Sequence, residues 1–296
     1  MGHIAVIGSC AMDLTVETDR RPEAGETVMG RRLVVSPGGK GANQAVAAAR
    51  LGAHVYMVGC IGSDSYGSMI QKNLKANGVD TSYVTVFPNS SSGTAHITLA
   101  EGDNSIIVIK GANDLVGQEQ IDQAWSVIGQ ADMVLLQQEI PMDTIGYCIG
   151  RCRQAHVPVI LNPAPAADTP AAWLDEVTYV TPNEHEASSL YPGMSAEDIL
   201  TGHSRRVIMT MGKQGVAYGD KGKAVCIAGF PAAPVDTTGA GDTFNGALAV
   251  ACAEGRPLEE ALLFANAAAA LSIQKIGAQG GMPRRAEVEE MLSCRK

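Results

Sequence analysis

The residues best suited to chemistry lie in two short glycine-rich stretches far apart in the chain. The later one reads Val235-Asp236-Thr237-Thr238-Gly239-Ala240-Gly241-Asp242-Thr243-Phe244-Asn245-Gly246 and runs into the apolar Ala247-Leu248-Ala249-Val250. Small residues at Gly239, Ala240 and Gly241 predict a tight loop that opens a helix. Uncovered backbone N–H groups and the positive end of the helix dipole make such a loop a cradle for an anion, phosphate above all. Asp242 stands at its edge. A carboxylate there is either a helix cap or a general base, taking a proton from an attacking hydroxyl while the N–H groups hold the transferring phosphate. The loop alone leaves both open.

The earlier stretch is Ser36-Pro37-Gly38-Gly39-Lys40-Gly41-Ala42-Asn43-Gln44. Gly38 and Gly39 let backbone approach a ligand, and Lys40 and Asn43 offer donors from a helix mouth; a plain glycine turn with a solvated lysine is the alternative. Two nucleotide motifs fail nearby. A dinucleotide fingerprint needs glycines two and five residues after Gly8, where Cys10 and Asp13 stand. Lys40 is followed by Gly41 instead of Ser or Thr, so it is not a Walker lysine.

Composition narrows the partners. The 296 residues carry a net charge of −9 and no Lys/Arg run, which argues against nucleic acid and anionic membranes. At 46% hydrophobic but only 4% aromatic, the core must be filled by Ala, Val, Ile and Leu. Seven cysteines, an odd number without metal-like pairing, and six scattered histidines point to a reduced, cytoplasmic chain. Cys148 and Cys152, four apart, are expected to share a helix face. The first residues enter a strand with no charged leader or apolar signal core, and no apolar run reaches membrane-spanning length.

The elements that must hold these residues follow from periodicity. Residues 3–7 predict a buried first strand, 14–17 and 31–35 short strands, 45–51 a helix and 55–60 a second core strand. Asp64 and Ser65 are plausible helix caps. Residues 94–100 alternate, with Thr94, His96 and Thr98 on one face and Ala95, Ile97 and Leu99 on the other; Glu101-Gly102-Asp103-Asn104 turns them into 106–109 as a hairpin. From residue 118 onward helices (121–128, 144–154) alternate with strands (133–137, 157–161, 177–180, 207–211), which predicts a mostly parallel sheet with helices on both faces. Ligands gather at the carboxyl ends of such strands, where Glu139, Asn162, Asn183 and Thr210 stand. An Ala-rich helix over 258–274, a glycine-rich turn and a last helix over 284–294 close the chain.

Taken together, Gly38-Gly39-Lys40-Gly41-Ala42-Asn43-Gln44-Ala45 and Asp236-Thr237-Thr238-Gly239-Ala240-Gly241-Asp242-Thr243-Phe244 resemble the two signature motifs of the ribokinase-like family of sugar and nucleoside kinases, and the resemblance covers residues 3 to 292. It implies an α/β kinase domain over residues 1–296, with a mostly parallel central sheet, flanking helices and a small β-sheet lid within about 13–17, 31–35 and 94–109. It also implies a homodimer joined through the lids, with the apolar lid face at Ile97 and Leu99 covered. Asp242 is then the base on a sugar's primary 5-hydroxyl, and Gly239, Ala240 and Gly241 the anion hole. Asp13, Gly39, Lys40, Asn43 and Glu139 bind the sugar. Asn183-x-x-Glu186 organises Mg²⁺ around ATP; Thr210, Gly212, Gly215, Gly241 and Asn266 bind the nucleotide. Asp236, Thr238, Ser272, Lys275, Gly277 and Gly281 match positions that hold a monovalent cation, usually K⁺, chiefly through main-chain oxygens.

Ala11 departs from the family, which usually has an Asn there that contacts secondary hydroxyls of the sugar. Deoxyribose kinases of the family also carry an apolar residue at that position. The implied activity is ATP-dependent phosphorylation of a pentose, ribose first, with 2-deoxyribose, a nucleoside or another sugar as the alternative. A catalytically silent sugar- or nucleotide-binding regulator is the rival of another class; the joint presence of Asp242, the anion hole, Asn183 and Glu186 argues against it. The stretch 195–206 is shorter than the family's usual helix, away from all these motifs.

Overall fold

The computed structural model describes residues 2–294. The first strands are β1 (His3–Ile7), β2 (Ala11–Glu17), β3 (Arg32–Gly38), β4 (His54–Gly62), β5 (Val79–Phe87), β6 (Gly93–Ala100) and β7 (Asp103–Ile109). They are followed by β8 (Met133–Leu136), β9 (Val159–Leu161), β10 (Tyr179–Val180), β11 (Ile208–Thr210), β12 (Gly215–Asp220) and β13 (Lys223–Ala228). Six of them form the main sheet in the order β10-β9-β8-β1-β4-β5, every neighbouring pair parallel.

A parallel sheet is covered on both faces, so its strands read as unbroken apolar runs. In β1, Ile4 and Val6 pack into one buried cluster with the helices Lys40–Arg50, Ala240–Ala253 and Leu258–Ser272. Ala5 and Ile7 pack into the cluster on the other face, with the helix Met142–Ala155. Cys148 and Cys152 lie within that second cluster, Sγ to Sγ 4.0 Å.

The chain builds outward from β1 to β4 and β5 and then returns to the other side through β8, β9 and β10. The strand order therefore reverses between β1 and β8, and a crevice opens beyond their carboxyl ends. The hydroxyl of Ser9, just past β1, donates to Glu139, just past β8, across this point.

Three elements differ from the sequence reading. The first is β5, whose Asp80, Thr81, Ser82 and Thr85 blur its pattern. The second is the β12–β13 hairpin, which makes an antiparallel sheet with β11. Parallel bridges Val180–Val207 and Asn183–Thr210 tie that sheet to β10, so the strand expected in the main sheet extends it instead of belonging to it. The third is the helix expected from residue 45, which begins at Lys40 because the glycine motif itself forms the first turn.

β3, β2, β6 and β7 form a separate four-stranded sheet in that order. Its register pairs Asp13 with Ser36 and Ala95, and Thr15 with Val34 and Ile97. Paired residues share a face, so Ile97 and Leu99 lie on the face that carries Asp13. The opposite face carries Leu33, Val35, Ile107 and Ile109, all exposed. Exposed apolar side chains thus occupy both faces, since Ile106 and Val108 stand on the first. No helix among the described residues is long and apolar enough to cross a membrane.

Candidate active site

Asp242 lies in the first turn of the helix Ala240–Ala253 and is 6% exposed. The turn before it is left-handed at Gly239, φ 77°, where a Cβ would also come within 2.8 Å of Ala278. The Ala240 N–H donates to the Thr237 carbonyl at 3.3 Å. The next N–H groups, of Gly241 and Asp242, have no acceptor within the helix, as at any helix start.

Both carboxylate oxygens of Asp242 accept from side chains of the Lys40–Arg50 helix. Asn43 Nδ2 reaches Oδ2 at 2.9 Å and Gln44 Nε2 reaches Oδ1 at 3.1 Å. Burial pushes the Asp242 carboxyl up; Lys40, Asn43 and Gln44 work against that shift, and Glu139 adds to it. Burial alone would lower the Lys40 ammonium, but Asp242, Glu139 and Glu186 outweigh it and hold it above its ordinary value. Asp242 is therefore no mere cap: its carboxylate feels the charge of the half-buried Lys40 and accepts from two side-chain amides.

Glu139 accepts the Lys40 N–H at 3.0 Å, so it caps the helix that carries Lys40 and Asn43. Gly39 joins β3 to that helix at φ 87°, and a Cβ there would sit 2.8 Å from the Ala11 nitrogen. Asp13 lies over Gly38, where any Cβ would strike its carboxyl group. Burial, then Glu139 and Asp242, raise Asp13 to about 6. Asp13, Gly39, Asn43 and Glu139 thus gather where β2, the helix mouth and the end of β8 meet. Ala11, which opens β2 in the same corner, is buried and presents only a methyl group.

Beside this corner lies a cleft of about 210 Å³ whose lining includes Lys40, Asn183, Glu186, Thr210, Gly239, Gly241 and Asp242. A second, more apolar cleft of about 510 Å³ is lined by Gly212, Gly215, Phe230, Pro231 and Asn266, among others. Thr237 and Ala240 belong to both, so the two meet at the glycine turn before Asp242. Asn266 is held by a bond from Nδ2 to the Ile227 carbonyl, 3.1 Å.

Asn183 and Glu186 form a reciprocal capping box: Asn183 Oδ1 accepts the Glu186 N–H at 2.8 Å, and Glu186 Oε2 accepts the Asn183 N–H at 2.9 Å. The helix-start reading of this pair is therefore correct, but Glu186 is not a surface acid. It is 9% exposed, lines the cleft, and burial raises its carboxyl against the pull of Asn183 and Lys40. A half-used carboxylate in a phosphate-sized cleft fits a hydrated divalent cation.

The residues matched to a monovalent cation are drawn together around Asp236 and Ser272. Asp236 accepts the N–H groups of Thr238 at 2.9 Å and Gly277 at 2.8 Å. Burial pushes its carboxyl up, but these bonds outweigh it and hold it below the usual range. Gly281 sits so close to the Ser272 carbonyl that no Cβ would fit between them. An ionised carboxylate beside crowded main-chain oxygens suits K⁺. The Lys275 side chain is turned outward to Glu287, 3.4 Å away, which leaves only its main chain for such a role. No group of three or more His, Cys, Asp or Glu arranged to hold a metal occurs among the described residues.

No role was expected from the sequence for Gln137, Gln279, Thr181 or Phe230, and Thr237 was read only as part of the glycine motif. The available signal was polarity at the end of a buried strand: Gln137 directly follows the apolar β8.

A family model described as pfkB family carbohydrate kinase matches residues 1–285. The chain belongs to that family. This sugar kinase is 56% identical to a ribokinase of Bacillus subtilis over 99% of its own length and 100% of the relative's. It superimposes on the ribokinase of Thermotoga maritima with a TM-score of 0.91 at 36% identity, covering 99% of this chain and 100% of the other. An Arabidopsis thaliana ribokinase complexed with ribose and ATP matches with a TM-score of 0.88 at 37% identity, covering 98% of each chain. The α/β architecture of this kinase, a mostly parallel sheet with helices and a small second sheet, is the ribokinase-like fold.

Proposed function

We propose that this sugar kinase transfers the γ-phosphoryl group of ATP to the primary 5-hydroxyl of ribose. The observation that carries the reading is the Asp242 carboxylate, held in the first turn of a helix by the Asn43 and Gln44 amides and under the charge of the Lys40 ammonium. Asp242 takes the proton of the attacking hydroxyl. The N–H groups of the Gly239-Ala240-Gly241 turn and Lys40 stabilise charge on the phosphoryl oxygens as transfer proceeds. Asp13, Gly39, Lys40, Asn43 and Glu139 orient the sugar. Gly212, Gly215 and Asn266 line the place of the nucleotide base, and Thr210 and Gly241 border its phosphates. Asn183 and Glu186 would hold Mg²⁺, which neutralises phosphate charge when bound. Asp236, Thr238, Ser272, Lys275, Gly277 and Gly281 would hold K⁺.

In this reading the chain is one kinase domain of the cytoplasm. The four-stranded sheet is its lid, and a second copy of the chain covers one apolar face of that sheet. The similarity to ribokinases supports ribose as the acceptor. One observation favours 2-deoxyribose as a second reading: the Ala11 methyl cannot bond a hydroxyl. ADP formation across a panel of pentoses and nucleosides, with Mg²⁺ and K⁺ present, tests the proposal. The kcat/KM for ribose should exceed that for every other acceptor. A higher value for 2-deoxyribose moves the assignment to that sugar, and no ADP with any sugar ends it. Asp242→Asn should lower kcat at least ~10²-fold with little change in sugar KM.

A further inference from the structure

Asp242 is held by amides that are themselves held. Gln44, which donates to Asp242 Oδ1, accepts through its own oxygen from Gln137 Nε2 at 2.7 Å. Asn43, which donates to Asp242 Oδ2, accepts through its own oxygen from Gln279 Nε2 at 2.9 Å. The two arms come from different parts of the fold. Gln137 follows β8, and Gln279 lies in the short helix Ala278–Gly281, where its Oε1 is fixed in turn by Asn73 Nδ2 at 2.6 Å. We propose that Gln137 and Gln279 are positioning residues for phosphoryl transfer, each locking the orientation of an inner amide so that an N–H group always faces the Asp242 carboxylate.

The chemistry of the groups dictates this polarity. A carboxylate only accepts, so each inner amide must present nitrogen to it and turn its oxygen away. That oxygen then needs a donor. An amide left without one loses part of what fixes its orientation; for Gln44 the remaining hold is Asn162 Oδ1, which also accepts its Nε2 at 3.1 Å. Gln44 and Gln137 are both 0% exposed, so water does not supply the donor.

A second observation shows that orientation is favoured here over complete pairing. Gln137 Oε1 is buried and has no hydrogen-bond partner among the described residues. Buried acceptors are normally paired; here the oxygen is left bare while Nε2 points at Gln44. The space it occupies exists because residue 8 is glycine; a Cβ at that position would collide with it. The other charged groups that act on Asp242 are Lys40, Glu139, Asp13 and Glu186. None is hydrogen-bonded to Gln137 or Gln279 in either arm, so the two glutamines can be replaced without touching that charge set.

The inference rests on Asp242 being the base, and its test reads Asp242 directly. Gln137→Met keeps the bulk and removes the donor. The Asp242 carboxyl, followed by carbon NMR in the full chain without substrate, should titrate roughly one pH unit higher than in the parent, because a lost hydrogen bond to the charged form disfavours it. In the sugar assay kcat should fall roughly ten- to a hundredfold, as misplaced catalytic groups do, its acid limb should move to higher pH by the same interval, and the sugar KM should stay within about threefold. Gln279→Met should move the same carboxyl the same way from the other arm. If both variants fold and the Asp242 titration and the kcat profile stay put while only Tm falls, the proposal is overturned and the glutamines are packing residues. Should Gln137→Met fail to fold, Gln137→Leu removes the donor with less bulk and no charge; an unmoved Asp242 there overturns the proposal equally. A parent enzyme inactive on every sugar, or an active Asp242→Asn, would count against the base assignment alone.

Discussion

Replacing Asp13 with Asn should stabilise the free enzyme at neutral pH while disabling it. Asp13 is drawn into a corner where burial, then Glu139 and Asp242, raise its carboxyl from 3.8 to about 6. A carboxyl whose folded value is raised favours the folded state fully below its unfolded value, and that contribution is lost as pH rises through the folded one. The interval between 3.8 and about 6 corresponds to about 3 kcal/mol at one unit per 1.36 kcal/mol. Asn keeps the shape over Gly38 but carries no charge. The variant and its parent should therefore differ little near pH 3.8, diverge as pH climbs, and level off above about 6, with the variant ahead by up to about 3 kcal/mol. Urea unfolding at closely spaced pH values, without sugar, reads this difference. Sugar turnover in the same preparation should collapse, since the carboxylate proposed to bind a sugar hydroxyl is gone. A stability difference independent of pH, or a parent more stable than the variant at pH 7.5, would refute the argument that Asp13 is held there at a cost to folding.

Ala11→Asn should shift preference towards ribose over 2-deoxyribose by roughly tenfold to a hundredfold, the value of one buried hydrogen bond of about 1–3 kcal/mol; paired kcat/KM measurements check it, and no shift removes the account of that position. Glu186→Gln keeps the capping box but discharges the cleft, so half-maximal activity should need roughly tenfold more Mg²⁺ with sugar KM unchanged; an unaltered Mg²⁺ titration rules the residue out of that role. Asp236→Ala removes the acceptor that joins the Thr238 and Gly277 N–H groups, and the difference in rate between KCl and a bulky organic cation at equal ionic strength should vanish, which initial rates in the two salts will show.

The parts of the site that depend on neighbours in sequence were readable before any coordinates. Glycines beside Lys40 and Asp242 announce tight turns, and β1 announces itself by the unbroken apolar run Ile4-Ala5-Val6-Ile7. The Asn183–Glu186 pair was readable as a helix start, but its burial was not, because that depends on Lys40 and Asp242 arriving from elsewhere. Gln137 and Gln279 were silent for the same reason: their partners lie 93 and 236 positions away, and a glutamine looks alike in sequence whether it is solvated or locked. β5 escaped through its hydroxyl and carboxylate side chains, and β12–β13 because Gly215 and Gly219 interrupt the strand pattern.

The four-stranded sheet is hung from the main body by very short straps. Only Gly8, Ser9 and Cys10 separate β1 from β2, and only Gly39 separates β3 from the helix that carries Lys40. Neither strap has slack, so a tilt of that sheet tugs on Ser9 and Gly39 together. Ser9 holds Glu139, and Glu139 holds the Lys40 amide. In the proposed role of this sheet as a lid, shutting it over a sugar would therefore also square up the groups beneath it, and lengthening either strap by one residue would uncouple the two.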